Sequence, residues 1–524
     1  MDPFRNEATL DFSLARNAGS LEESLSAILA GVPEDRLLVI GGERLSTGRW
    51  IESRDPGEPD RILGRAACAG TPEVERAVAA ADATFRSWSR TLPSRRAEVL
   101  FRAAALLREQ RFDLDSLLML EAGKVRQEAD AEFAEAVDFL EFYGREMLRY
   151  AGGQPLVRIH GERNSLQYIP LGAGAVIAPW NFPLAILAGM SAAAIVAGNT
   201  VVVKPSNETP LIAYRLLEIL EEAGLPPGVF NYLPGKGSEI GDPLVQHPRI
   251  RFISFTGSKE VGLRINQLGA GTSTGQIWIK RVVAEMGGKD AIIVDAECDL
   301  DAAVEGVVAS AFGYQGQKCS ACSRAIGVGP VYDELVSRVA RRAAELRVGS
   351  VRHRETQVGP VISEAARRGI LKFIEVGRRE GRLVAGGGPA PAAPDRATGA
   401  PAGYFIEPTV FADVSPTARI AQEEIFGPVL AMCRARDFDE ALQIANGTPY
   451  GLTGAVYSLN REHLDRAGAE FHVGNLYLNR KCTGALVGAH PFGGFNMSGT
   501  DSKAGGKDYL LLFLQAKVVA ERET

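Results

Sequence analysis

Short β-branched apolar runs alternate with amphipathic segments along most of the chain. The runs are GAVIA at 174–178, NTVVVK at 199–204, VFNYLP at 229–234 and RFISFTG at 251–257. Between the second and third runs, apolar residues recur at helical spacing and stop at Gly224 and Pro226, which predicts a helix and its end. Strand, helix and strand at this spacing predict parallel β-α-β units, whose ligands bind at the carboxyl ends of the strands.

A second alternating series begins at residue 291 and ends near residue 480. It contains AIIVDA at 291–296, RAIGVG at 324–329 and a predicted helix over 331–346. The Gly/Ala/Pro-rich stretch 385–403 predicts a surface loop without chemistry. The last apolar run, 509–521, predicts a terminal strand whose edge another subunit would bury.

The stretch 169–203 contains no charged residue and is long enough to span a bilayer. Pro170, Pro179 and Pro183 would break a single helix, and no basic loop flanks the stretch. We therefore predict a strand, a loop, a helix and a strand in a buried core, and no membrane span.

Composition narrows the class of protein. A length of 524 residues predicts two or more domains. The net charge is −6 and the pI is about 5.8, which does not favour nucleic-acid binding, so a small-molecule partner is expected. Six cysteines are too few for a disulfide framework, and the N-terminus lacks the basic and apolar regions of a secretory signal. A cytoplasmic location is expected.

Cys319 and Cys322 form a C-x-x-C pair in the segment FGYQGQKCSACSR, 312–324. A structural zinc site would need two further ligands at motif spacing, and the sequence has neither a second C-x-x-C nor a spaced histidine pair. A thioredoxin-like pair would open a helix after the first strand of a small fold. The pair therefore indicates either one nucleophile or, as is commoner for such a pair alone, two buried cysteines.

The residues before Cys319 favour a nucleophile. Gly316 permits a tight turn, Lys318 supplies an ammonium, and Cys319 itself is predicted at a junction between a loop and a helix. A nearby ammonium and the free N–H groups of a helix start would both lower the thiol pKa.

Three further segments point to the same chemistry. Asn181, in the proline-bracketed APWNFP at 178–183, offers a fixed amide for an oxyanion, although such a residue more often caps a turn. Glu285, in the apolar AEMGGKD at 284–290, would have a raised pKa suited to a general base, although a surface salt bridge is commoner. Gly257 and Ser258, in FTGSKEVG at 255–262, could hold a phosphate at a helix start, although the glycine pattern is weak.

Taken in the order in which they occur along the chain, these motifs resemble those of the aldehyde dehydrogenase superfamily, and the resemblance covers nearly the whole chain. The matching segments are PWNFP at 179–183, VVVKPSNETP at 201–210, FTGSKEVG at 255–262, EMGGKD at 285–290, FGYQGQKCSACSR at 312–324, EEIFGPV at 423–429 and PFGGFNMSGT at 491–500. The resemblance implies an α/β fold of three parts after an N-terminal helical arm over 1–36. These are a Rossmann-type NAD-binding domain (37–159 and 174–289), an α/β catalytic domain (290–490) and a small β oligomerisation domain (160–173 and 491–524).

The resemblance also implies residue roles. Cys319 would attack an aldehyde carbon, while the Asn181 amide and the Cys319 backbone N–H hold the oxyanion. Hydride transfer to the nicotinamide would leave a thioester, which water activated by Glu285 would hydrolyse. No metal is implied.

NAD is the cofactor that the resemblance implies. It places Lys204 on the adenosine ribose, Gly257 and Ser258 near the pyrophosphate, Glu424 on the nicotinamide ribose and Phe426 against the ring. Asn207 departs from the family, since NAD-preferring members often carry Glu here to repel a 2′-phosphate. We therefore expect NAD first, with NADP tolerated.

The segments GQKCSACSR and 479–506 are most similar to the Δ1-pyrroline-5-carboxylate dehydrogenase branch, which oxidises L-glutamate γ-semialdehyde in proline degradation. The resemblance implies a binding site for the α-amino-acid group and the aliphatic chain of this substrate. Its members are the carboxylate ligands Ser320, Gly484 and Ala485, the aromatic walls Phe182 and Phe492, and Glu135 for the ammonium.

Three alternatives remain. A general or semialdehyde-specific aldehyde dehydrogenase would not need the carboxylate-binding turn and is the runner-up. A coenzyme-A-acylating relative commonly lacks the glutamate base, and a non-catalytic binding protein would not need Cys319, Asn181 and Glu285 together. As partners we expect further copies of the chain, in a dimer or a dimer-based hexamer, and a transient contact with a separate proline dehydrogenase.

Overall fold

The computed structural model describes residues 3–390 and 403–523. The predicted loop 385–403 therefore falls mostly outside the described residues. Helices cover both halves of the described chain. They are α1 Ala15–Gly31, α2 Thr71–Trp88, α3 Pro93–Glu109, α4 Arg111–Ala122, α5 Arg126–Ala151, α6 Ala185–Val196, α7 Pro210–Glu222, α8 Asp242–Gln246, α9 Lys259–Ala270, α10 Leu300–Phe312, α11 Val331–Ala344, α12 Glu364–Glu380, α13 Arg419–Gln422, α14 Phe438–Asn446 and α15 Arg461–Glu470.

Strands are short and interleave with these helices. They are β1 Glu34–Arg36, β2 Leu38–Ile40, β3 Glu43–Leu45, β4 Trp50–Asp55, β5 Glu58–Ala67, β6 Glu162–Pro170, β7 Ala173–Ile177, β8 Thr200–Lys204, β9 Phe230–Tyr232, β10 Phe252–Thr256, β11 Arg281–Glu285, β12 Asp290–Val294, β13 Cys322–Val328, β14 Arg382–Ala385, β15 Thr409–Ala412, β16 Val429–Ala435, β17 Tyr450–Gly451, β18 Thr453–Tyr457, β19 Asn475–Leu478, β20 Phe495–Asn496 and β21 Leu514–Arg522.

The first large sheet has the order β11-β10-β7-β8-β9-β2-β3 and is parallel from β11 to β9. Its central strands are buried on both faces, as their β-branched runs predict. Helices α6 and α7 pack on one face, and α2, α8 and α9 pack on the other. The four strands predicted from the first apolar series are confirmed.

The second large sheet has the order β14-β15-β16-β13-β12-β18-β19, with only β14 antiparallel. Helices α10 and α11 cover one face, and α12, α14 and α15 cover the other. The second alternating series therefore forms a second parallel sheet covered by helices, and in the described residues each face of the two sheets has its own hydrophobic cluster.

Strands β6 and β21 form a separate antiparallel ribbon from Leu514–Pro170 to Arg522–Glu162. The predicted terminal strand begins later than expected, because Tyr509–Phe513 form a buried 3₁₀ turn. The ribbon exposes Val518 to 63% and Val519 to 41% of their surface. Residues 491–513 do not join this ribbon, since β20 pairs with β17 instead.

The N-terminal arm is helical only over α1. Residues 3–11 have no regular secondary structure, and the backbone N–H groups of Glu7 and Leu10 donate to the Asp138 and Asp130 carboxylates on α5. A helix would use these N–H groups internally. Residues 34–36 form β1, which pairs with β5.

The charge-free stretch 169–203 folds as predicted. It contains the end of β6, then β7, a turn, α6 and the start of β8. Within the described ranges, no helix is both long and apolar enough to cross a membrane.

Candidate active site

A cavity of about 940 Å³ opens at the carboxyl ends of β7, β8 and β10. This edge of a parallel sheet is where ligands bind in such folds. Two predicted catalytic residues, Asn181 and Cys319, line the cavity, and so does every predicted cofactor residue: Lys204, Asn207, Gly257, Ser258, Glu424 and Phe426.

Cys319 lies in a turn between α10 and β13 that is shaped by three consecutive left-handed residues. Tyr314, Gln315 and Gly316 have φ values of 49°, 57° and 67°. A Cβ on Gly316 would lie 2.3 Å from the Gly427 carbonyl oxygen, so only glycine fits there. This turn brings the Cys319 thiol to the cavity wall.

The expected helix start at Cys319 is wrong. Helix α10 ends at Phe312, before the turn, and strand β13 begins at Cys322, after it. The Lys318 ammonium pairs with Glu128 at 2.6 Å instead of activating the thiol. Burial raises the pKa of Cys319 well above its usual value, and the carboxyl groups of Asp290, Glu424 and Glu285 raise it further. The thiol is therefore protonated in this state.

Cys322 is buried, with 1% of its surface exposed, at the first position of β13. Its thiol donates to the Arg324 carbonyl oxygen at 3.3 Å and lies beside the Cys482 thiol. Cys322 therefore belongs to the core of the second sheet, and it does not line the cavity.

Asn181 lies in the proline-bracketed turn between β7 and α6 and is 4% exposed. Its side-chain amide donates to the Gln317 carbonyl oxygen at 3.0 Å. A primary amide has two N–H groups, so the second is available to a ligand oxygen. No backbone or side-chain acceptor in residues 3–390 and 403–523 takes the Cys319 N–H, which provides a second donor at the same place.

Glu285 ends β11, next to the cavity residues Met286 and Gly287. Its carboxylate accepts the Ser502 hydroxyl and the Gly494 N–H, the latter at 3.1 Å. Burial raises its pKa to about 7, and these hydrogen bonds limit the rise. As predicted, the pKa of this carboxyl lies near neutrality, where it can both take up and release a proton.

Two residues of the cavity wall, Lys204 and Asn207, offer groups that match an adenosine ribose. Asn207 Oδ1 is buried without a hydrogen-bond partner in the described chain, and so is a ready acceptor for a sugar hydroxyl. The buried Lys204 ammonium donates to the Pro205 carbonyl oxygen at 3.0 Å, and burial lowers its pKa to about 8. Both side chains suit a polar ligand that supplies the missing partners.

Helix α9 begins in the wall of the same cavity. Ser258 is its N-cap, and its hydroxyl accepts the Val261 N–H at 3.4 Å. Gly257, just before it, donates its N–H to the Glu285 carbonyl oxygen at 3.1 Å. The first N–H groups of a helix bind phosphate, so a pyrophosphate fits this position.

Glu424 and Phe426 also line this cavity. Burial raises the pKa of Glu424 to about 7, while its carboxylate accepts the Gly288 N–H at 3.1 Å. Phe426 has a φ of 54° and meets Trp180 edge-on, with ring centroids 5.4 Å apart. A ribose acceptor, a helix start, a carboxylate and an aromatic ring in the wall of the cavity that Cys319 also lines fit a dinucleotide.

The predicted substrate residues lie outside this cavity. The Ser320 carbonyl oxygen accepts the Cys482 thiol at 3.4 Å, which ties the nucleophile turn to the segment carrying Gly484 and Ala485. Gly484 has a φ of 79°, so its turn needs glycine. Phe492 forms a bridge with Ala504 in the following segment.

Glu135 lies on α5 and has no hydrogen-bond or ion-pair partner among the described residues. Burial and the neighbouring Glu132 raise its pKa to about 8, and the Lys124 ammonium limits the rise. Phe182 packs edge-on against Tyr314, with ring centroids 6.2 Å apart. The six predicted substrate residues thus belong to four segments. The nucleophile turn is directly bonded to the other three, through Asn181–Gln317, Lys318–Glu128 and Ser320–Cys482.

Several neighbours of the site escaped the sequence analysis. Glu128 neutralises Lys318, Ser502 holds Glu285, and Trp180 supports Phe426. Glu128 and Ser502 lie 190 and 217 residues from their partners, and no local pattern reveals such pairs. Trp180 precedes Asn181 in PWNFP, so its aromatic ring could have been predicted to lie at the site.

Comparisons with known proteins agree with this geometry. The aldehyde dehydrogenase family model matches residues 44–519. A 1-pyrroline-5-carboxylate dehydrogenase of Anoxybacillus flavithermus is 54% identical over 521 residues, 99% of each chain. A structure of 1-pyrroline-5-carboxylate dehydrogenase from Thermus with bound NAD has a TM-score of 0.96 and 49% identity, over 100% of this chain and 99% of that one.

A longer relative matches as well. Proline utilization A from Bdellovibrio bacteriovorus is 41% identical with a TM-score of 0.96, and the match covers 99% of this chain but 53% of that one. The predicted fold and the family resemblance are therefore confirmed, and the chain belongs to the aldehyde dehydrogenase family.

Proposed function

We propose that this enzyme oxidises L-glutamate γ-semialdehyde, the hydrolysed form of Δ1-pyrroline-5-carboxylate, to L-glutamate with NAD, in proline degradation. The observation that carries the proposal is one cavity lined by Cys319 and Asn181 together with Lys204 and Asn207. Close relatives named 1-pyrroline-5-carboxylate dehydrogenase, similar over their whole length, support the choice of substrate.

The first step is addition of the Cys319 sulfur to the aldehyde carbon. The thiol loses its proton to solvent water as the bond forms. The free N–H of Asn181 and the backbone N–H of Cys319 hold the oxygen that becomes negative. The product of this step is a thiohemiacetal on Cys319.

Lys204 and Asn207 would hold the adenosine ribose of NAD, Gly257 and Ser258 its pyrophosphate, and Glu424 and Phe426 its nicotinamide riboside. When bound there, NAD supplies the hydride acceptor for the thiohemiacetal carbon. Asn207 carries no charge, so we expect NADP to be tolerated.

Glu285 completes the reaction by taking a proton from water as the water attacks the thioester. The carbon–sulfur bond breaks, glutamate leaves as the free γ-carboxylate, and Cys319 regains its proton. A carboxyl with a pKa of about 7 can accept this proton and release it at neutral pH.

The substrate's amino-acid head is assigned to residues outside the cofactor cavity. The Ser320 hydroxyl and the backbone N–H groups of Gly484 and Ala485 bind its carboxylate, since a left-handed turn directs such groups at an anion. Glu135, whose carboxyl lacks a partner among the described residues, binds the ammonium. Phe182 and Phe492 contact the aliphatic stem.

Initial rates with purified protein and NAD test the function. We expect kcat/KM for L-glutamate γ-semialdehyde to exceed that for propanal and succinic semialdehyde by at least about tenfold, since binding of the polar head adds discrimination. Comparable values for propanal would favour the general aldehyde dehydrogenase instead. A requirement for coenzyme A would overturn hydrolysis of the thioester.

The remaining assignments belong to the same proposal. For the domains we propose the division expected from the sequence: an arm over 1–36, a cofactor domain over 37–159 and 174–289, a catalytic domain over 290–490, and an oligomerisation unit over 160–173 and 491–524, of which 162–170 and 514–522 form the ribbon. The exposed apolar face of β21 supports a homo-oligomer, a dimer or a dimer-based hexamer. We also propose a cytoplasmic location and a transient contact with a proline dehydrogenase.

A further inference from the structure

Lys124 places an ammonium group between two aromatic rings deep inside the protein. Its side chain is completely buried, and Nζ lies 3.8 Å from the Phe182 ring centroid and 4.1 Å from that of Tyr314. The completely buried Glu132 carboxylate lies 2.7 Å from the same nitrogen. We call these four residues, Lys124, Glu132, Phe182 and Tyr314, the Lys124 clamp.

One side of the clamp is the turn that carries Asn181. Phe182 is the next residue along that turn. Glu132 Oε1 accepts the backbone N–H groups of Leu184 and Ala185, at 2.8 and 3.1 Å, where helix α6 begins. Lys124 therefore contacts both a ring of the turn and the carboxylate that fixes its end.

The other side is the turn that carries Cys319. Tyr314 has a left-handed backbone and donates its hydroxyl to the Ala122 carbonyl oxygen at 2.9 Å. Gln315 donates to the Gly123 carbonyl oxygen at 2.8 Å. Both acceptors immediately precede Lys124, so the backbone on which the lysine stands is fixed to the nucleophile turn.

We propose that Lys124 is a positioning residue that sets the distance between the two oxyanion donors, the Asn181 amide and the Cys319 N–H. The inference rests on the proposed reaction, in which these groups act together. Each donor is on one of the two turns that the clamp joins, and the first sheet carries one turn while the second sheet carries the other. Oxyanion stabilisation depends steeply on the placement of preorganised donors, so loosening the clamp weakens it.

The proposed role uses Lys124 in its charged form. Burial lowers the pKa of the amine, and the Glu132 carboxylate at 2.7 Å opposes that effect. Its contact with Glu132 is an ion pair by distance that lacks hydrogen-bond geometry, so the ammonium is shared between the carboxylate and the two rings. A desolvated cation attracts the faces of aromatic rings. An uncharged side chain of equal length would fill the space without drawing Phe182 and Tyr314 together.

Hydrolysis of p-nitrophenyl acetate without cofactor tests the inference. The Cys319 sulfur displaces p-nitrophenolate, and water then hydrolyses the acetyl thioester, so the assay reports oxyanion stabilisation independently of NAD. The experiment is a double-mutant cycle of Lys124→Met with Asn181→Ala. We expect Lys124→Met alone to slow acylation by about tenfold, and to add less than about twofold when Asn181 is already alanine.

Arg96→Met is the matched control. Arg96 is another buried cation, 3% exposed, and it donates to the Val196 carbonyl oxygen at 2.7 Å, at the opposite end of helix α6. Arg96→Met should lower stability. Its effect on the acylation rate should be independent of Asn181→Ala, so the double mutant should show the product of the two single rate losses. The inference would be overturned if the rate loss of the Lys124→Met, Asn181→Ala double mutant were also the product of the two single losses.

Lys124→Met leaves a buried carboxylate unpaired, which can prevent folding. In that case Lys124→Met is combined with Glu132→Gln, which removes both charges. This pair then replaces Lys124→Met in the cycle with Asn181→Ala, and we expect the same coupling of the acylation rates. Aldehyde oxidation by the unmutated enzyme separates the two proposals. If the unmutated enzyme did not oxidise the aldehyde, the proposed function would be overturned. If it did, but the cycle showed no coupling between Lys124→Met and Asn181→Ala, only the role of Lys124 would be overturned.

Discussion

The side-chain amide of Asn181 donates to the backbone carbonyl of Gln317 at 3.0 Å, two residues before Cys319. This hydrogen bond joins a turn of the first sheet to a turn of the second. It fixes the amide beside the nucleophile before any ligand is present, which is the condition for an effective oxyanion site.

Asn181→Ala should lower kcat by about 10²-fold, because one preorganised donor is lost. Calorimetry should give an NAD dissociation constant within a few fold of the original. Asn199→Ala is the control, since Asn199 is a buried asparagine that bonds only to backbone groups, among them the Leu171 N–H and the Phe513 carbonyl oxygen. It should lower the melting temperature and leave kcat nearly unchanged. Equal kcat losses for both variants would refute the assigned role of Asn181.

Replacing each cysteine of the C-x-x-C segment by serine, one at a time, distinguishes their roles. Cys319→Ser should abolish NADH formation, because the hydroxyl is a far weaker nucleophile at neutral pH. Cys322→Ser should keep most of the rate and lose some stability, because Cys322 is a buried residue of β13. Initial rates and thermal melts measure both effects, and the opposite assignment of losses would identify Cys322 as the nucleophile.

The pH dependence of turnover reports on Glu285. A base must be deprotonated to act, so where thioester hydrolysis limits the rate, kcat should rise with pH through about 7 and then level. Glu285→Gln should remove this rise, and the acyl-enzyme should accumulate as a mass increase on Cys319. A pH profile unaltered in Glu285→Gln would exclude Glu285 as the base.

Ser502→Ala provides a finer test of the same group. The Ser502 hydroxyl donates to the Glu285 carboxylate and lowers its pKa. Removing a hydrogen bond to a charged group, worth about 1.5–3 kcal/mol, should move the inflection upward by about one pH unit or more. An inflection that stays in place or moves downward would contradict the assigned contact.

The sequence was most informative where local pattern determines structure. The buried strands around Ile177 and Thr256 and the cap at Ser258 follow from short apolar runs and helix-start chemistry. The helix expected at Cys319 is absent because Cys322–Val328 pair between β12 and β16 as strand β13. The turn before it has left-handed backbone at Tyr314 and Gln315, a conformation that these residues do not usually adopt. Only the distant contacts of the turn hold it there, and no local pattern encodes them.

Cofactor choice should depend on the charge at residue 207. Asn207→Glu should lower kcat/KM for NADP by at least about tenfold and leave NAD within a few fold, because a carboxylate repels a 2′-phosphate in a poorly solvated site. Asn207→Gln, which adds the same length without charge, is the control and should retain both cofactors. Steady-state kinetics with each dinucleotide decides, and equal losses of both cofactors in Asn207→Glu would show that the residue does not face that position.

Binding of the substrate ammonium should depend on ionisation of Glu135. Burial and the nearby Glu132 raise its pKa to about 8, so the carboxyl is mostly protonated at pH 7 and must lose its proton to pair with a cation. KM for L-glutamate γ-semialdehyde should therefore fall as pH rises through about 8, while KM for propanal, which has no ammonium, should not. Glu135→Gln should raise the first KM by about tenfold, as expected for a lost partner of a charged group, and abolish its pH dependence. Glu141→Gln, on the same helix but paired with Arg108 and Arg145, should change neither value. If Glu135→Gln raised KM for both aldehydes equally, the carboxyl would be supporting the fold of the site and another acidic group would bind the ammonium.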